Sequence, residues 1–535
     1  MKTNSALLFF LLYFFSSTAQ VTQDSLIHIS FDEPQESEIQ KNLEATTSQR
    51  SRQQSFVTAR CKGIKGLALD LTEDVPIRVP KILDETNQLN YGDGSSFSMQ
   101  VWVQTKKDAP QGTAIMSNKK WNDTKSSGWT LGTKENGAWY WQVSDGKTEY
   151  SYEPTAQRQA INDGEWHQIT ITINKTRNEM CMYFDGRNVA IYRINGLKSL
   201  ESDLRTVIGG TDEYMTWGSR GEWTAFNGRI DEVKFWNRAI TAEEVAENYQ
   251  ANLGSKEPLF INSMNNRLKI QSWNIWHGGH RHGQHVGVER VIDVLKSENA
   301  DIIGLVETYG SGAIIADSLG YYFYLISSNL SIMSRYPIEE CIELYKPFNS
   351  GGAILNLGNN RKLAFFDIWL NSNPNICELI EGEDLAENIV DSEMKTRLYE
   401  INTILKEIKP YIDNANEIPV MMAGDFNSGS HLDWTSEYKS LHNGMIIEWP
   451  VSQAMLKAGL KDSFREVNPN VFDAPGYTWS PLINPFNPDC VQDRIDFIYY
   501  KGTNLVPFHS ETINHHSVFW PSDHGSVVTH FYYVD

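Results

Sequence analysis

Val420-Met421-Met422-Ala423-Gly424-Asp425-Phe426-Asn427 is an apolar run that ends abruptly in a carboxylate and an amide. It is short for a helix and reads as a strand covered on both faces. Hiding the polar groups at its end is unfavourable unless a cation or a substrate meets them there. The same grammar recurs on both sides. Ile270-Gln271-Ser272-Trp273 runs into Asn274, and Ile302-Ile303-Gly304-Leu305-Val306 runs into Glu307. Asp496 lies inside Ile495-Asp496-Phe497-Ile498, and Asp523-His524 follows Pro521-Ser522 just before a last strand-like run. A single acidic residue at a strand end is ordinarily a turn or a cap. Five such groups in order point to strand ends that converge. Oxygen donors of the Asp, Glu and Asn type suit a hard divalent cation.

Outward from that stretch, strand-like runs over Leu268–Trp273, Ile302–Val306, Leu363–Trp369, Pro419–Ala423 and Ile495–Tyr500 alternate with helical spacing. The apolar period predicts helices over Val286–Ser297 and Ser392–Ile408, hence an α/β domain with both faces of its sheets covered. Upstream the pattern changes. Phe97–Val103 and His167–Ile173 alternate apolar and polar residues between Gly, Asn and Asp turns, which predicts an antiparallel sandwich. Asp185-Gly186 reads as a hairpin turn. Thr241 with Glu244 forms a capping-box pattern for a helix reaching Gln250.

Whole-chain properties narrow the function classes. At 535 residues the chain is long for one core and suggests two or three domains. Lys2, the apolar run Leu7–Phe15 and Ser17-Thr18-Ala19 make an export leader over residues 1–19. That run is too short to span a bilayer, and no later stretch is long and apolar enough for a transmembrane segment. The expected location is secreted, extracellular or periplasmic. Cys61, Cys181, Cys341, Cys377 and Cys490 are five, scattered and without a CxxC pair, so neither a disulfide framework nor a zinc finger is indicated. A net charge of −20 without a basic run argues against tight, sequence-independent gripping of nucleic acid.

Two resemblances emerge from these residues. Ile27-His28-Ile29-Ser30-Phe31-Asp32-Glu33, Asp163-Gly164-Glu165-Trp166-His167 and Phe226-Asn227-Gly228-Arg229-Ile230-Asp231-Glu232-Val233 resemble, in order, three motifs of the laminin-G-like, concanavalin-like jelly roll. Trp273-Asn274-Ile275-Trp276, Gly304-Leu305-Val306-Glu307-Thr308, Ser334-Arg335-Tyr336-Pro337-Ile338, Gly424-Asp425-Phe426-Asn427, Arg494-Ile495-Asp496-Phe497 and Ser522-Asp523-His524 resemble the endonuclease/exonuclease/phosphatase superfamily. The implied layout is an all-β jelly-roll sandwich over 24–254, a linker over 255–266 and a four-layer α/β/β/α sandwich over 267–535.

The second resemblance implies a metal-dependent phosphoester hydrolase, of phosphodiesterase or nuclease type, using Mg²⁺ or alternatively Mn²⁺ or Ca²⁺. By position it implies Asn274, Glu307 and Asp523 as metal ligands, and Asp425, Asn427, Asp496 and His524 as catalytic groups. Asp425 would orient or deprotonate water, Asn427 would hold a phosphoryl oxygen, and His524, oriented by Asp496, would serve the phosphoryl group or a proton. Trp369 stands where many members carry a His. His431 and His277 are candidate substrate-site residues that could replace it. His277, His280, His282 and His285 read either as a transition-metal cluster or as a loop on the site's rim. The jelly-roll resemblance implies a glycan- or protein-binding module. Asp32 and Asp231 are candidates for a structural Ca²⁺ or for turn carboxylates, and Trp121, Trp139 and Trp141 for sugar stacking or core. A phosphoester is the expected substrate. An extracellular nuclease on DNA or RNA is the alternative within the class, and a non-catalytic adhesion protein the alternative from another.

Overall fold

The computed structural model describes residues 25–32, 60–72, 82–83, 88–109, 112–121, 123–212, 226–253, 264–375, 379–380, 386–480 and 492–534. The expected leader, most of the expected linker, Cys377 and Cys490 lie outside the described residues. Cys61, Cys181 and Cys341 are free thiols.

In the N-terminal half the period-two pattern does what it predicts. The strand Phe97–Gln104 turns Phe97, Met99, Val101 and Val103 into the core, and its neighbour His167–Asn174 adds Ile169, Ile171 and Ile173. Burying each such side chain stabilises the fold by roughly 1.5–3 kcal/mol. Glu179–Phe184 and Arg187–Arg193 follow as a hairpin, closed by Asp185 and Gly186 with φ of 50° and 75°. Two consecutive positive φ values match the right-handed strand twist. A second sheet includes Ala114–Ser117, Ser127–Thr133, Trp139–Asp145 and Glu149–Tyr152. Trp139 and Trp141 are fully buried core and present no sugar-stacking face, whereas Trp121 is half-buried and edge-on to Tyr140. The helix Ala242–Leu253 starts on a reciprocal cap: Glu244 N–H donates to Thr241 Oγ1 and Thr241 N–H to Glu244. This half is a jelly-roll sandwich.

The C-terminal half has four layers. One sheet runs in the order Tyr322–Leu325, Leu330–Ser334, Ile302–Val306, Arg267–Asn274, Ser526–Tyr533, Leu505–Ile513. The other runs Ile338–Glu343, Ser350–Gly358, Arg361–Trp369, Val420–Asp425, Asp496–Lys501, Lys461–Asp462. Ile302, Ile332, Phe365, Met421 and Ile498 fill the space between them. Helices Val286–Glu298 and Gly312–Leu319 cover the first sheet, and Arg397–Glu407 and Pro450–Lys457 the second. The single helix expected over Ser392–Ile408 is instead two, Ala386–Lys395 and Arg397–Glu407. Thr396 breaks it at φ −119° and ψ −91°, with its hydroxyl donating to Ser392 O. Such back-bonding competes with the helical ladder. The break brings Arg397 into the interior, where it meets Glu393 and donates to Pro374 O.

One feature has no signature in the sequence. The jelly-roll strand Arg187–Arg193 pairs in parallel with Tyr322–Leu325, Ile191 opposite Tyr324, so one sheet of 14 strands runs through both halves. Thr155 donates to Asp317 through its N–H (2.9 Å) and its hydroxyl, and Gln159 Nε2 does so at 2.7 Å. Arg187 donates to Gly320 O and lies over the Tyr322 ring, and Arg193 pairs with Glu343.

Candidate active site

Strand direction brings the polar ends together. Arg267–Asn274 and Ile302–Val306 are parallel neighbours, so Asn274 and the residue after Val306, Glu307, emerge at one edge. Ser526–Tyr533 is antiparallel to the first of these, which places Asp523 and His524, just before its start, at that same edge. In the facing sheet Val420–Asp425 and Asp496–Lys501 are antiparallel, with Asp425 directly opposite Asp496.

The deepest group is Asp425, Asp496 and His524, each 4% exposed or less. His524 Nδ1 donates to Asp496 Oδ2 at 2.8 Å, and His524 Nε2 lies 3.9 Å from Asp425 Oδ2. Asp425 accepts from Asn427 N–H at 2.9 Å and from Asn274 Nδ2 at 3.2 Å. Burial, reinforced by Asp496, holds the Asp425 carboxyl above its ordinary range. Burial alone would lower His524, but Asp496 and then Asp425 override it and raise the imidazole to about 10. The ring is therefore cationic at neutral pH. Its surroundings keep it in place: Ser522 Oγ accepts its backbone N–H while donating to Asn274 O, and the Trp479 ring lies 4.9 Å away. Thr478 Oγ1 accepts both Ile495 N–H and Asp496 N–H. Thr478 and Trp479 carry no signal in the sequence, since they stand at no acidic strand end and in none of the motifs.

The other wall centres on Glu307. Its Oε2 accepts His277 N–H at 2.8 Å, and Asn274 Nδ2 approaches its Oε1 at 3.4 Å. Asp523 is close enough for Glu307 to help raise its carboxyl. Burial leads, Glu307 adds, His524 opposes, and the result is about 6. Asp523 Oδ1 is buried with no hydrogen-bond partner. A buried, unsatisfied carboxylate oxygen beside a second carboxylate and an amide fits a hard cation, which would satisfy that lone pair and relieve the repulsion. Glu307 and Asp523 supply oxygens that fit it; Asn274 turns its Nδ2 toward Glu307 and Asp425, and its Oδ1, which accepts Trp276 N–H at 3.0 Å, has one lone pair left to offer. Asp425, Asp496 and His524 also place potential ligand atoms within 4.8 Å of one another. That trio is therefore a second group whose donors could meet a cation, with the imidazole deprotonated, or serve as a proton site without one.

Backbone strain gathers at this wall. Trp276 and His277 both have φ of 53°, Glu307 59° and Tyr309 31°. Each bulky residue there costs about 1–3 kcal/mol, strain that clusters at functional sites. Gly278 makes the turn feasible: its N–H donates to Glu307 O, its φ is 67°, and a Cβ would lie 2.8 Å from Thr308 O.

The remaining candidates separate. Asn427 donates through Nδ2 to Leu370 O. Trp369 is opposite Asp425 on the adjoining strand, half-buried and edge-on to Phe348. His431 is positioned by a neighbouring helix. Its N–H and Nδ1 are both held by Ser452 Oγ, and no described contact joins it to Asp425 or His524. His280 faces Gln284 O and His282 packs against Trp276 and Phe519, a rim loop rather than a cluster of ligands. In the jelly roll, Asp231 accepts from Ile64 and Lys65 N–H and Asp32 from Leu67 N–H, so these carboxylates hold a turn, where a Ca²⁺ role was an expectation.

Residues 272–524 match the Endonuclease/Exonuclease/phosphatase family. The C-terminal half is an endonuclease/exonuclease/phosphatase domain. Residues 83–246 match the Concanavalin A-like lectin/glucanases superfamily, and that half is its laminin-G-like companion. The uncharacterized protein F14F9.5 of Caenorhabditis elegans is 27% identical over 310 residues, 51% of this chain and 93% of that relative. Among solved structures, truncated TDP2 of C. elegans is 17% identical, with a TM-score of 0.36 over 50% of this chain and 98% of that one. An AP endonuclease from Archaeoglobus fulgidus is 18% identical, with a TM-score of 0.36 over 49% and 98%. The endonuclease/exonuclease/phosphatase domain is of a phosphoester-hydrolysing type.

Proposed function

We propose that this protein is an exported, metal-dependent phosphodiesterase whose jelly roll docks it to a glycan or a protein. The observation that carries the reading is the buried Asp496–His524 pair facing Asp425 across 3.9 Å. Asp496 fixes the imidazole in one orientation, and the cationic ring offsets charge that develops on a phosphoryl oxygen. Asp425, held above the usual carboxylate range, is suited to take a proton from attacking water near neutral pH. Asn274 and the Asn427 N–H orient Asp425. A divalent cation held by Glu307, Asp523 and Asn274 would supply Lewis-acid stabilisation of the phosphoryl oxygens. Export rests on the leader pattern of residues 1–19, and the docking role on the laminin-G-like fold. No helix of the described residues is long and apolar enough to cross a membrane.

The test is hydrolysis by the purified full chain with Mg²⁺, Mn²⁺ or Ca²⁺. Substrates are bis(p-nitrophenyl) phosphate, p-nitrophenyl phosphate, plasmid DNA and phosphocholine lipid, beside His524→Ala. Metal-stimulated diester cleavage that the variant lacks is the expected result. Equal inertness of both proteins on every substrate overturns the reading, and cleavage of DNA alone moves it to a nuclease.

A further inference from the structure

The seam between the halves brings two cysteines from distant parts of the chain to one place. Glu179 and Cys181 stand two residues apart on the jelly-roll strand Glu179–Phe184, so both point to the same face. Their partners on the next strand are Arg193, opposite Glu179, and Ile191, opposite Cys181. On the hydrolase side Cys341 and Glu343 repeat the spacing within Ile338–Glu343. Arg193 approaches Glu179 to 4.0 Å and pairs directly with Glu343, which ties the two strands at one level. One step along, Ile191 lies opposite Tyr324 of the hydrolase. Ile191 and Tyr324 belong to the core between the hydrolase sheets, and Cys181 and Cys341 both pack against that core. With the Glu179–Arg193–Glu343 triad as reference, the two cysteines fall on the next level of the seam, one from each half.

The surroundings of the two sulfurs agree. In the structure both are free thiols, the reduced form of such a pair. Burial and then Glu179 raise each of them, Cys181 to about 12, and Cys181 lies near enough to Cys341 to push it further. One carboxylate therefore neighbours both thiols. Cys61 has different neighbours, Asp70 and Arg229. Cys341 also lines an open groove of about 400 Å³ together with Arg177, Glu179, Arg193 and Glu343. A small thiol-reactive molecule has a route to the seam along that groove.

We propose that Cys181 and Cys341 are the two ends of a disulfide that locks the jelly roll to the hydrolase. The bond goes beyond the phosphodiesterase reading and does not depend on it. Its oxidant is a low-molecular-weight disulfide of the glutathione type. The Cys341 thiolate, its proton lost to solvent, attacks one sulfur of that molecule, forming a mixed disulfide and expelling one glutathione thiolate. The Cys181 thiolate then attacks the Cys341 sulfur and expels the second. Two protein thiols become one disulfide, and one glutathione disulfide becomes two thiols. Because both protein thiols titrate above neutral pH, the exchange is slow in the folded chain and quickens as pH rises. Export delivers a chain to surroundings in which such a bond persists.

The test maps the cysteines of the purified full chain after equilibration with oxidised glutathione at about pH 8.5, near the ordinary thiol range. Remaining thiols are alkylated in denaturant without reductant, and the digest is read by mass spectrometry. The expected result is a peptide containing Cys181 joined to one containing Cys341, lost on treatment with dithiothreitol. Alkylation of both cysteines overturns the proposal. So does a glutathione adduct left on either, or a link from either to Cys61, Cys377 or Cys490. The mapping uses no variant, so it holds even where a substitution prevents folding. Thermal unfolding gives a second readout. Oxidised glutathione should raise the Tm of the wild type and leave Cys181→Ala and Cys341→Ala unchanged. An equal shift in all three, or none in any, overturns the lock.

Discussion

Asp425, Asp496 and His524 form one group at the candidate site, and Glu307, His277 and Tyr309 form another. The first trio is buried and linked by a short hydrogen bond, a 3.9 Å approach and the opposition of two strands. The second is partly exposed and sits on left-handed backbone at Glu307, His277 and Tyr309. Burial and pairing fix charge, which is what proton transfer and phosphoryl stabilisation require. Exposure with strain fixes shape, which is what choosing among substrates requires. The two groups share no side-chain contact between their named members and can be altered separately.

His524→Ala should produce the largest effect, a fall of about 10³–10⁴-fold in kcat on bis(p-nitrophenyl) phosphate with KM little changed. A comparable rise in KM instead would place His524 in binding and erase the contrast. Glu307→Ala comes next. Titrating activity with Mg²⁺ should show the half-saturating concentration raised by about 100-fold, since a ligand to the cation is gone. An unchanged metal response would remove Glu307 from the cation.

The support beneath the buried group is tested by pH. Glu393 is fully buried, accepts from Ser428 Oγ beside the Asp425–Asn427 turn, and pairs with Arg397. Burial raises its carboxyl from 4.5 to about 7, against the pull of Arg397. Between those values the folded chain holds a proton that the unfolded chain has lost. Stability is therefore greatest below about pH 4.5 on this account and declines through about pH 7. Denaturant unfolding across that window should find about 2–3 kcal/mol of decline attributable to this group, flattened in Glu393→Gln. A slope identical in the two proteins would refute the assignment.

The smallest effect concerns the brace behind Tyr309. Asp317, on the helix that follows Tyr309, takes hydrogen bonds from Thr155 and Gln159 of the jelly roll. Asp317→Ala should cost about 1–2 kcal/mol of stability, read as a lower Tm, with kcat little changed. A fall in kcat alone would tie the brace to the buried group.

The candidate site was legible because its residues break a strong pattern: Asn274, Glu307, Asp425 and Asp496 are polar groups at or beside the ends of apolar runs, and the fold brings those ends to one edge. The strands themselves were found by period, to within a residue or two at Ile302–Val306 and Val420–Asp425. Less was legible where geometry depends on partners distant in sequence. His431 has the residue type of a replacement for the missing imidazole, yet Ser452, on the helix Pro450–Lys457, determines where its Nδ1 goes. Trp139 and Trp141 read as sugar-stacking or core residues alike until their own sheet is packed face to face with the first. Tyr309 and Arg281 carry no pattern at all; only the stacking of His277 gives them meaning. Thr396 ends a helix through its own hydroxyl, a competition that apolar spacing does not register.

The pairing of Ile191 with Tyr324 has a practical and an evolutionary consequence. Cut between the halves, the chain would expose the backbone of Tyr322–Leu325 as a raw sheet edge, a template for joining other chains. Lending the hydrolase half to another protein, or expressing it by itself, would leave that edge to be covered first. In this molecule the jelly roll also serves as the hydrolase's selvedge.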